Sequence, residues 1–135
     1  MDIVVDTSAV IAVITNEPDR PRILAVTQDT ALLAPRSLHW EIGNAFSAMF
    51  KRRRITLEQA RDALALYRQI PIRFTDVELQ HAMDLAAQLN IYAYDAYMLV
   101  CAQQHRCRLL SIDTGLLHAA QEMGLQVVEI ERGEP

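Results

Sequence analysis

Short apolar runs alternate along the chain with longer segments in which apolar residues recur at helical spacing. Each short run is hydrophobic at consecutive positions, which is typical of strands that are buried on both faces of a parallel sheet. The third run contains Pro71, which favours an edge position because proline cannot donate to a neighbouring strand. The predicted strands are 3–5, 31–35, 70–74, 108–112 and 126–130.

Between these runs, the spacing of apolar residues predicts helices at 8–14, 18–28, 37–53, 56–68, 76–89, 94–105 and 114–123. Residues that commonly end helices support several of these boundaries. The predicted N-caps are Thr7 or Ser8, Ser37, Thr56 in a capping box with Gln59, and Asp76, while Pro18 suits a first helical turn. Asn90 and Gly124 suit the C-terminal ends of two helices.

The alternation of strands and helices predicts one α/β domain over 1–135, a three-layer α/β/α sandwich with a mainly parallel sheet of four or five strands. The consecutive helices 37–53 and 56–68 form a predicted hairpin that can project from the sheet. The tail 132–135 is predicted to be frayed.

The composition is that of a folded, water-soluble domain, with 51% hydrophobic and 22% charged residues among 135. No apolar run approaches the roughly 18 residues that cross a bilayer, and no signal-peptide pattern is present, so we expect a cytoplasmic protein without membrane contact. Cys101 and Cys107 lack zinc-site spacing and are expected to be reduced thiols.

The net charge of −4 excludes a basic coat for nucleic acid, so any surface that binds anions must be local. Lys51, Arg52, Arg53 and Arg54 form the one basic run. These side chains could contact substrate phosphates, but cations are also favourable at the C-terminus of a helix.

Four acids fall where carboxylates are uncommon or well placed for chemistry. Asp6 and Asp113 each end an apolar strand just before a helix, and Glu41 and Asp95 lie on otherwise apolar helical stripes. If they meet, their repulsion raises some of their pKa values, and a divalent cation removes that repulsion. An oxygen-only site suits Mg²⁺ or Mn²⁺, which can activate a water for attack on phosphorus.

Each acid also has a structural interpretation. Asp6 and Asp113 could simply cap the helices that follow them, and Asp95 could complement the positive end of its own helix. The spacing alone leaves these alternatives open.

The four acids occur in segments that together resemble the acidic motifs of PIN-domain ribonucleases, and most closely those of the VapC toxins of toxin–antitoxin pairs. The segments are Asp6-Thr7-Ser8, Glu41-Ile42-Gly43-Asn44, Tyr94-Asp95-Ala96 and Ser111-Ile112-Asp113. The resemblance implies an α/β/α sandwich that cleaves RNA internally with Mg²⁺ or Mn²⁺. By position, Asp6, Glu41, Asp95 and Asp113 correspond to the metal-binding and catalytic acids, and Ser8 and Asn44 to residues that assist them.

The same resemblance implies a cognate antitoxin and a homodimer. The hairpin 37–68 is the expected antitoxin site. The apolar residues that could line its groove are Trp40, Phe46, Met49, Phe50 and Leu57, although the helical spacing explains most of them equally well as core.

Two other functions are alternatives to this one. A phosphatase with Asp6 as a nucleophile usually needs a second acid two residues later, where this chain has Ser8. A catalytically idle module that only binds RNA or protein is the other alternative, although all four acids are present.

Overall fold

The structure is a computed structural model in which residues 2–130 are described; the predicted frayed tail lies outside this range. Its strands are β1 (Asp2–Val5), β2 (Ala31–Pro35), β3 (Ile72–Thr75) and β4 (Arg108–Leu110). Its helices are α1 (Thr7–Ile14), α2 (Arg20–Thr27), α3 (Ser37–Lys51), α4 (Leu57–Gln69), α5 (Leu79–Leu89), α6 (Ala93–His105) and α7 (Thr114–Glu122).

The strands form one parallel sheet in the order β3-β2-β1-β4, which confirms the predicted α/β class. Ile3 pairs with Leu32 on one side and with Arg108 on the other, so β1 is central. Within the described residues, the predicted fifth strand is reduced to an isolated bridge between Leu109 and Val127. Of the four or five strands that the sequence predicts, four form the sheet.

The order of the strands creates a switch point between β1 and β4. The chain moves outward from β1 to β2 and β3, then crosses back over the sheet through α5 and α6 to reach β4 on the other side of β1. Because such crossovers are right-handed, the helices before and after β3 cover opposite faces. Ligands of open α/β sheets bind at the carboxyl ends of the strands at this kind of switch point.

The core lies between the sheet and the helices on each side of it. Ile3, Val4 and Leu109 are fully buried in the sheet. Helix α6 packs on β1, β2 and β4 and is itself covered by α5, so its apolar residues are buried around most of its circumference. No helix within residues 2–130 is both long and apolar enough to cross a membrane.

The hairpin of α3 and α4 packs against α1, and its turn contains the predicted capping box between Thr56 and Gln59. Phe46 is buried in the core, which agrees with the core interpretation of its helical spacing. Met49 is partly buried against the core, whereas Trp40, Phe50 and Leu57 are exposed.

Three predicted N-caps are wrong because their side chains have other partners, and the predicted start of α2 is too early. Asp6 caps α1 in place of Thr7 or Ser8, and Arg36 precedes α3 in place of Ser37, because these hydroxyls bond to carboxylates instead. Asp76 pairs with Arg36, and α5 begins at Leu79. Helix α2 begins at Arg20, after the predicted start at Pro18.

The two residues that were predicted to end helices, Asn90 and Gly124, are confirmed in that role. Asn90 adopts the left-handed conformation with φ 54° after α5, and Gly124 has φ 75° just after α7.

Candidate active site

Asp6 and Asp113 lie at the carboxyl ends of the two neighbouring strands that flank the switch point. The backbone N–H of Asp6 donates to the Leu110 carbonyl at 3.2 Å, which keeps the ends of β1 and β4 together. The Asp6 carboxylate caps α1 through the N–H of Ala9, and the Asp113 carboxylate caps α7 through the N–H of Gly115, each at 3.0 Å. The capping alternative is therefore correct for both acids, and it places both carboxylates at one edge.

Two serine hydroxyls surround the Asp6 carboxylate. Ser8 Oγ lies 2.8 and 2.9 Å from its two oxygens, and Ser111 Oγ donates to Oδ2 at 2.7 Å. The same hydroxyls accept bonds from the backbone N–H groups of Ile112 and Asp113. Ser111 was not predicted as a site residue. It could have been found because it is a hydroxyl residue within the fourth acidic motif.

Glu41 is held by hydroxyls from two different helices. Thr7 Oγ1 donates to Oε1 and Ser37 Oγ to Oε2, each at 3.1 Å. Sequence reasoning missed both residues as members of the site. Ser37 could have been found from its spacing, because it precedes Glu41 by one helical turn and therefore lies on the same face of α3.

Burial and mutual repulsion raise the pKa values of three of the acids. Burial raises the pKa of Asp6 to about 6, against the opposing effect of its hydrogen bonds from Ser111, Ala9 and Ser8. Burial also raises the pKa of Glu41 to about 7, with further increases from the charges of Asp6 and Asp95. The pKa of Asp95 is raised by burial and by the charge of Asp113.

These mutual effects identify one electrostatic cluster of four carboxylates, which we call the acidic cluster: Asp6, Glu41, Asp95 and Asp113. The ion pairs within residues 2–130 are Arg22–Asp19, Arg36–Asp76 and His118–Glu122. None of them neutralises the acidic cluster.

The donor set of the acidic cluster fits a hard divalent cation. Its carboxylate and hydroxyl oxygens are the ligand types of Mg²⁺ and Mn²⁺, and its negative charge is uncompensated by a side chain. Among the described residues, however, no three His, Cys, Asp or Glu side chains already lie in an arrangement that could hold a metal ion. The acids are gathered at one edge without a closed coordination shell.

The other predicted site residues lie outside this network. The Asn44 side chain is exposed on α3 and makes no hydrogen bond within residues 2–130, although it lies one turn from Glu41. The basic run 51–54 is exposed at the opposite end of α3. At the helical rise, Lys51 lies roughly 15 Å from Glu41 along the axis, so the structure does not bring this run to the acids.

Solved structures with the same fold include proteins from archaea and bacteria. PAE2754 from Pyrobaculum aerophilum is 21% identical, with a TM-score of 0.64 over 88% of this chain and 84% of that one. VapBC2 from Rickettsia felis, bound to a DNA fragment from its promoter, is 13% identical, with a TM-score of 0.69 over 97% and 100%. Mycobacterium tuberculosis VapC20, described as a toxin that cleaves the sarcin–ricin loop, is 14% identical, with a TM-score of 0.66 over 94% and 98%.

No curated protein matches the sequence. A family model described as the PIN domain matches residues 3–122, a range that contains β1 except its first residue, β2 to β4, and all four acids of the acidic cluster. This match covers most of the chain and agrees with the resemblance of its four acidic motifs. The chain therefore belongs to the PIN domain family.

Proposed function

We propose that this chain is an endoribonuclease that depends on Mg²⁺ or Mn²⁺ and acts as the toxin of a toxin–antitoxin pair. The observation that carries the proposal is the acidic cluster, which lies at the switch point of the sheet without a cationic partner among the described residues. Buried carboxylates that repel one another reduce stability unless a bound ligand offsets their repulsion and their loss of solvation. The VapBC2 and VapC20 structures, which share this fold, support the toxin assignment.

In this proposal, the cation is held by Asp6, Glu41, Asp95 and Asp113. When bound, it supplies a Lewis acid that favours deprotonation of water and stabilises negative charge on the phosphate. Ser8 and Ser111 orient the Asp6 carboxylate, and Thr7 and Ser37 orient Glu41. In the metal-free protein, Glu41 has a pKa near 7 and can exchange a proton at neutral pH.

The proposed antitoxin site is the cleft between α1 and the α3–α4 hairpin. Ile11, Ile14, Met49, Ile55 and Leu66 line it together with polar residues at its rim. This apolar lining suits the apolar face of a partner helix. We also propose that the protein is cytoplasmic and forms a homodimer. Light scattering after gel filtration would test the homodimer.

The basic run 51–54 remains a proposed contact to substrate phosphates, at a distance from the reacting bond that requires an extended RNA.

The experiment that tests the activity is incubation of the purified protein with mixed RNA and Mg²⁺ or Mn²⁺, followed by addition of a chelator. We expect cleavage that stops with the chelator and is absent from Asp6→Asn and Asp95→Asn. Asp84→Asn, which removes an exposed acid on α5, is the matched control and should cleave normally. Cleavage that continues in the chelator would exclude the proposed mechanism. RNA binding without cleavage would favour the idle binding module.

A further inference from the structure

Arg36 places a positive charge at the same sheet edge as the acidic cluster. It connects β2 to α3, and its backbone N–H donates to the Thr75 carbonyl at 3.2 Å, which fixes it beside the end of β3. Its side chain Nε donates to Asp76 Oδ1 at 2.7 Å. The two side chains are 67% and 84% exposed, so the ion pair is open to solvent and a ligand can compete with Asp76 for the guanidinium.

Arg36 is adjacent in sequence to a residue that contacts the acidic cluster. The next residue, Ser37, donates to Glu41, so the backbone that carries Arg36 also carries a group that orients the acidic cluster. Arg36 also lies at the N-terminus of the long helix α3, where the helix dipole favours an anion. The basic run 51–54 is at the other end of this helix.

An open cleft of about 180 Å³ lies directly beside Arg36, which is smaller than the roughly 300 Å³ of a site for a whole small ligand and suits one part of a longer ligand. Its lining includes Leu79 and Tyr97, which have large apolar side chains, and the hydroxyl residues Ser37 and Thr75. Leu79 is 61% exposed, so part of this lining faces solvent.

The cleft also has a wall on α6. Tyr97 of this helix lines it and contacts Tyr94 edge to face, with ring centroids 6.1 Å apart. The cleft is therefore bounded by the two helices, α3 and α6, that carry Glu41 and Asp95.

From this arrangement, we propose that the cleft is a nucleotide subsite for single-stranded RNA, with Arg36 contacting a phosphate next to the one that is cut. This inference rests on the proposed function. The base of that nucleotide packs against Leu79 and Tyr97. Such a base must be unpaired, because a base within a duplex cannot reach a side pocket. Asp76 positions Arg36 in the free protein and competes with the phosphate for its guanidinium.

The competition predicts opposite effects of the two members of the ion pair. Arg36→Gln should raise KM for a short RNA by roughly three- to tenfold with little change in kcat, because an exposed charge contact is lost. Asp76→Asn should lower KM, because it frees the guanidinium. In the double variant Arg36→Gln/Asp76→Asn, the decrease in KM caused by Asp76→Asn should disappear. An ion pair with only a structural role would instead give changes of the same sign for both single variants.

The salt dependence gives a second measurement on the same variants. Removal of one phosphate contact to single-stranded RNA lowers the slope of log(kcat/KM) against log[salt] by about 0.7. Arg22→Gln, which breaks an ion pair on α2, is the matched control and should leave the slope unchanged. If wild type cleaves RNA but the slopes of Arg36→Gln and Arg22→Gln are equal, the subsite is wrong. If wild type does not cleave, the proposed function fails with it.

The contact to the base is tested with RNAs that lack one base at each position around the cut. For wild type, we expect KM to rise several-fold when one particular base beside the cut is missing. Leu79→Ser should remove this position-specific effect, whereas Met83→Ser, at another exposed apolar position of α5, should retain it. An effect that is equal at all positions, or that persists in Leu79→Ser, would overturn the contact to the base.

Discussion

The hydroxyl of Ser111 donates a 2.7 Å hydrogen bond to Oδ2 of Asp6, although 105 positions separate the two residues. Ser111 is 1% exposed and Asp6 is 4% exposed, so this bond is made away from water. Ser111 also accepts from the N–H of Asp113, so one hydroxyl connects the acids that follow β1 and β4. The fold thus uses a short side chain to hold two repelling carboxylates at the same edge.

Ser111→Ala should destabilise the metal-free protein by about 1–3 kcal/mol at pH 8, because the ionised Asp6 loses a buried donor. The loss should be smaller at pH 5, where the raised pKa of Asp6 leaves it mainly protonated. Urea denaturation in chelator at both pH values measures the difference. Ser47→Ala, at an exposed serine of α3, is the matched control, and an equal loss at both pH values would contradict the explanation.

The contribution of Asp6 to the stability of the metal-free protein should fall as the pH rises from about 4 to about 6. The pKa of Asp6 is raised from 3.8 to about 6 in the folded state, so the folded protein binds more protons than the unfolded chain in this window. Protonation of Asp6 contributes its full stabilisation below the pKa of the unfolded chain. This stabilisation is lost as the pH rises through the pKa of the folded protein. The cost of ionising this buried group is about 3 kcal/mol.

Asp6→Asn removes that ionisation and should make the unfolding free energy less dependent on pH, with equal or greater stability than wild type at pH 8. Denaturation curves over pH 4 to 8 test this difference. A variant that fails to fold would show that Asp6 is needed as a structural cap of α1 and not for a ligand.

Much of the fold could be predicted because its signals are local. Consecutive apolar residues at 31–35 and 108–112 predict buried parallel strands, and Asn90 and Gly124 end helices through their own conformational preferences. Residues 126–130 carry the same apolar pattern but form only one bridge, at Val127, because a strand needs a partner along its whole length. Whether such a partner strand is present depends on tertiary structure, which the local sequence does not specify.

The acidic cluster could be predicted from the ends of strands and from acids on apolar stripes, and Ser8 from the first motif, whereas the hydroxyl partners of Glu41 were not predicted. Thr7 and Ser37 have the chemistry of N-caps, and local reasoning assigned Ser37 to that role. In the structure, both bind Glu41, and Thr7 reaches it across 34 positions of sequence. Likewise, the guanidinium of Arg36 reaches Asp76, which removes the predicted cap of α5.

A divalent cation should stabilise the wild-type protein, because it binds only where folding gathers the acids. At a hundred times its Kd, this gain is about 2.7 kcal/mol. Thermal denaturation with increasing Mn²⁺ or Mg²⁺ should therefore show a rising Tm. The rise should be lost in Asp95→Asn and kept in Asp84→Asn, whose acid lies on the exposed surface of α5. An equal rise in both variants would indicate non-specific binding.

Thr7→Val should lower kcat/KM for RNA cleavage by about tenfold, because it removes a hydrogen bond to the Glu41 carboxylate without changing the size of the side chain. Thr7→Ser keeps the hydroxyl and should restore most of the activity. Thr15→Val, at the other end of α1, removes a hydroxyl that bonds to the Ile11 carbonyl of the same helix and is the control for general effects on the helix. Because Thr7 acts by positioning Glu41, its loss should also raise the Mn²⁺ concentration needed for half-maximal activity. If Thr7→Val lowers stability as much as Thr15→Val but leaves this concentration unchanged, Thr7 supports only the helix, and Glu41 is positioned by Ser37 alone.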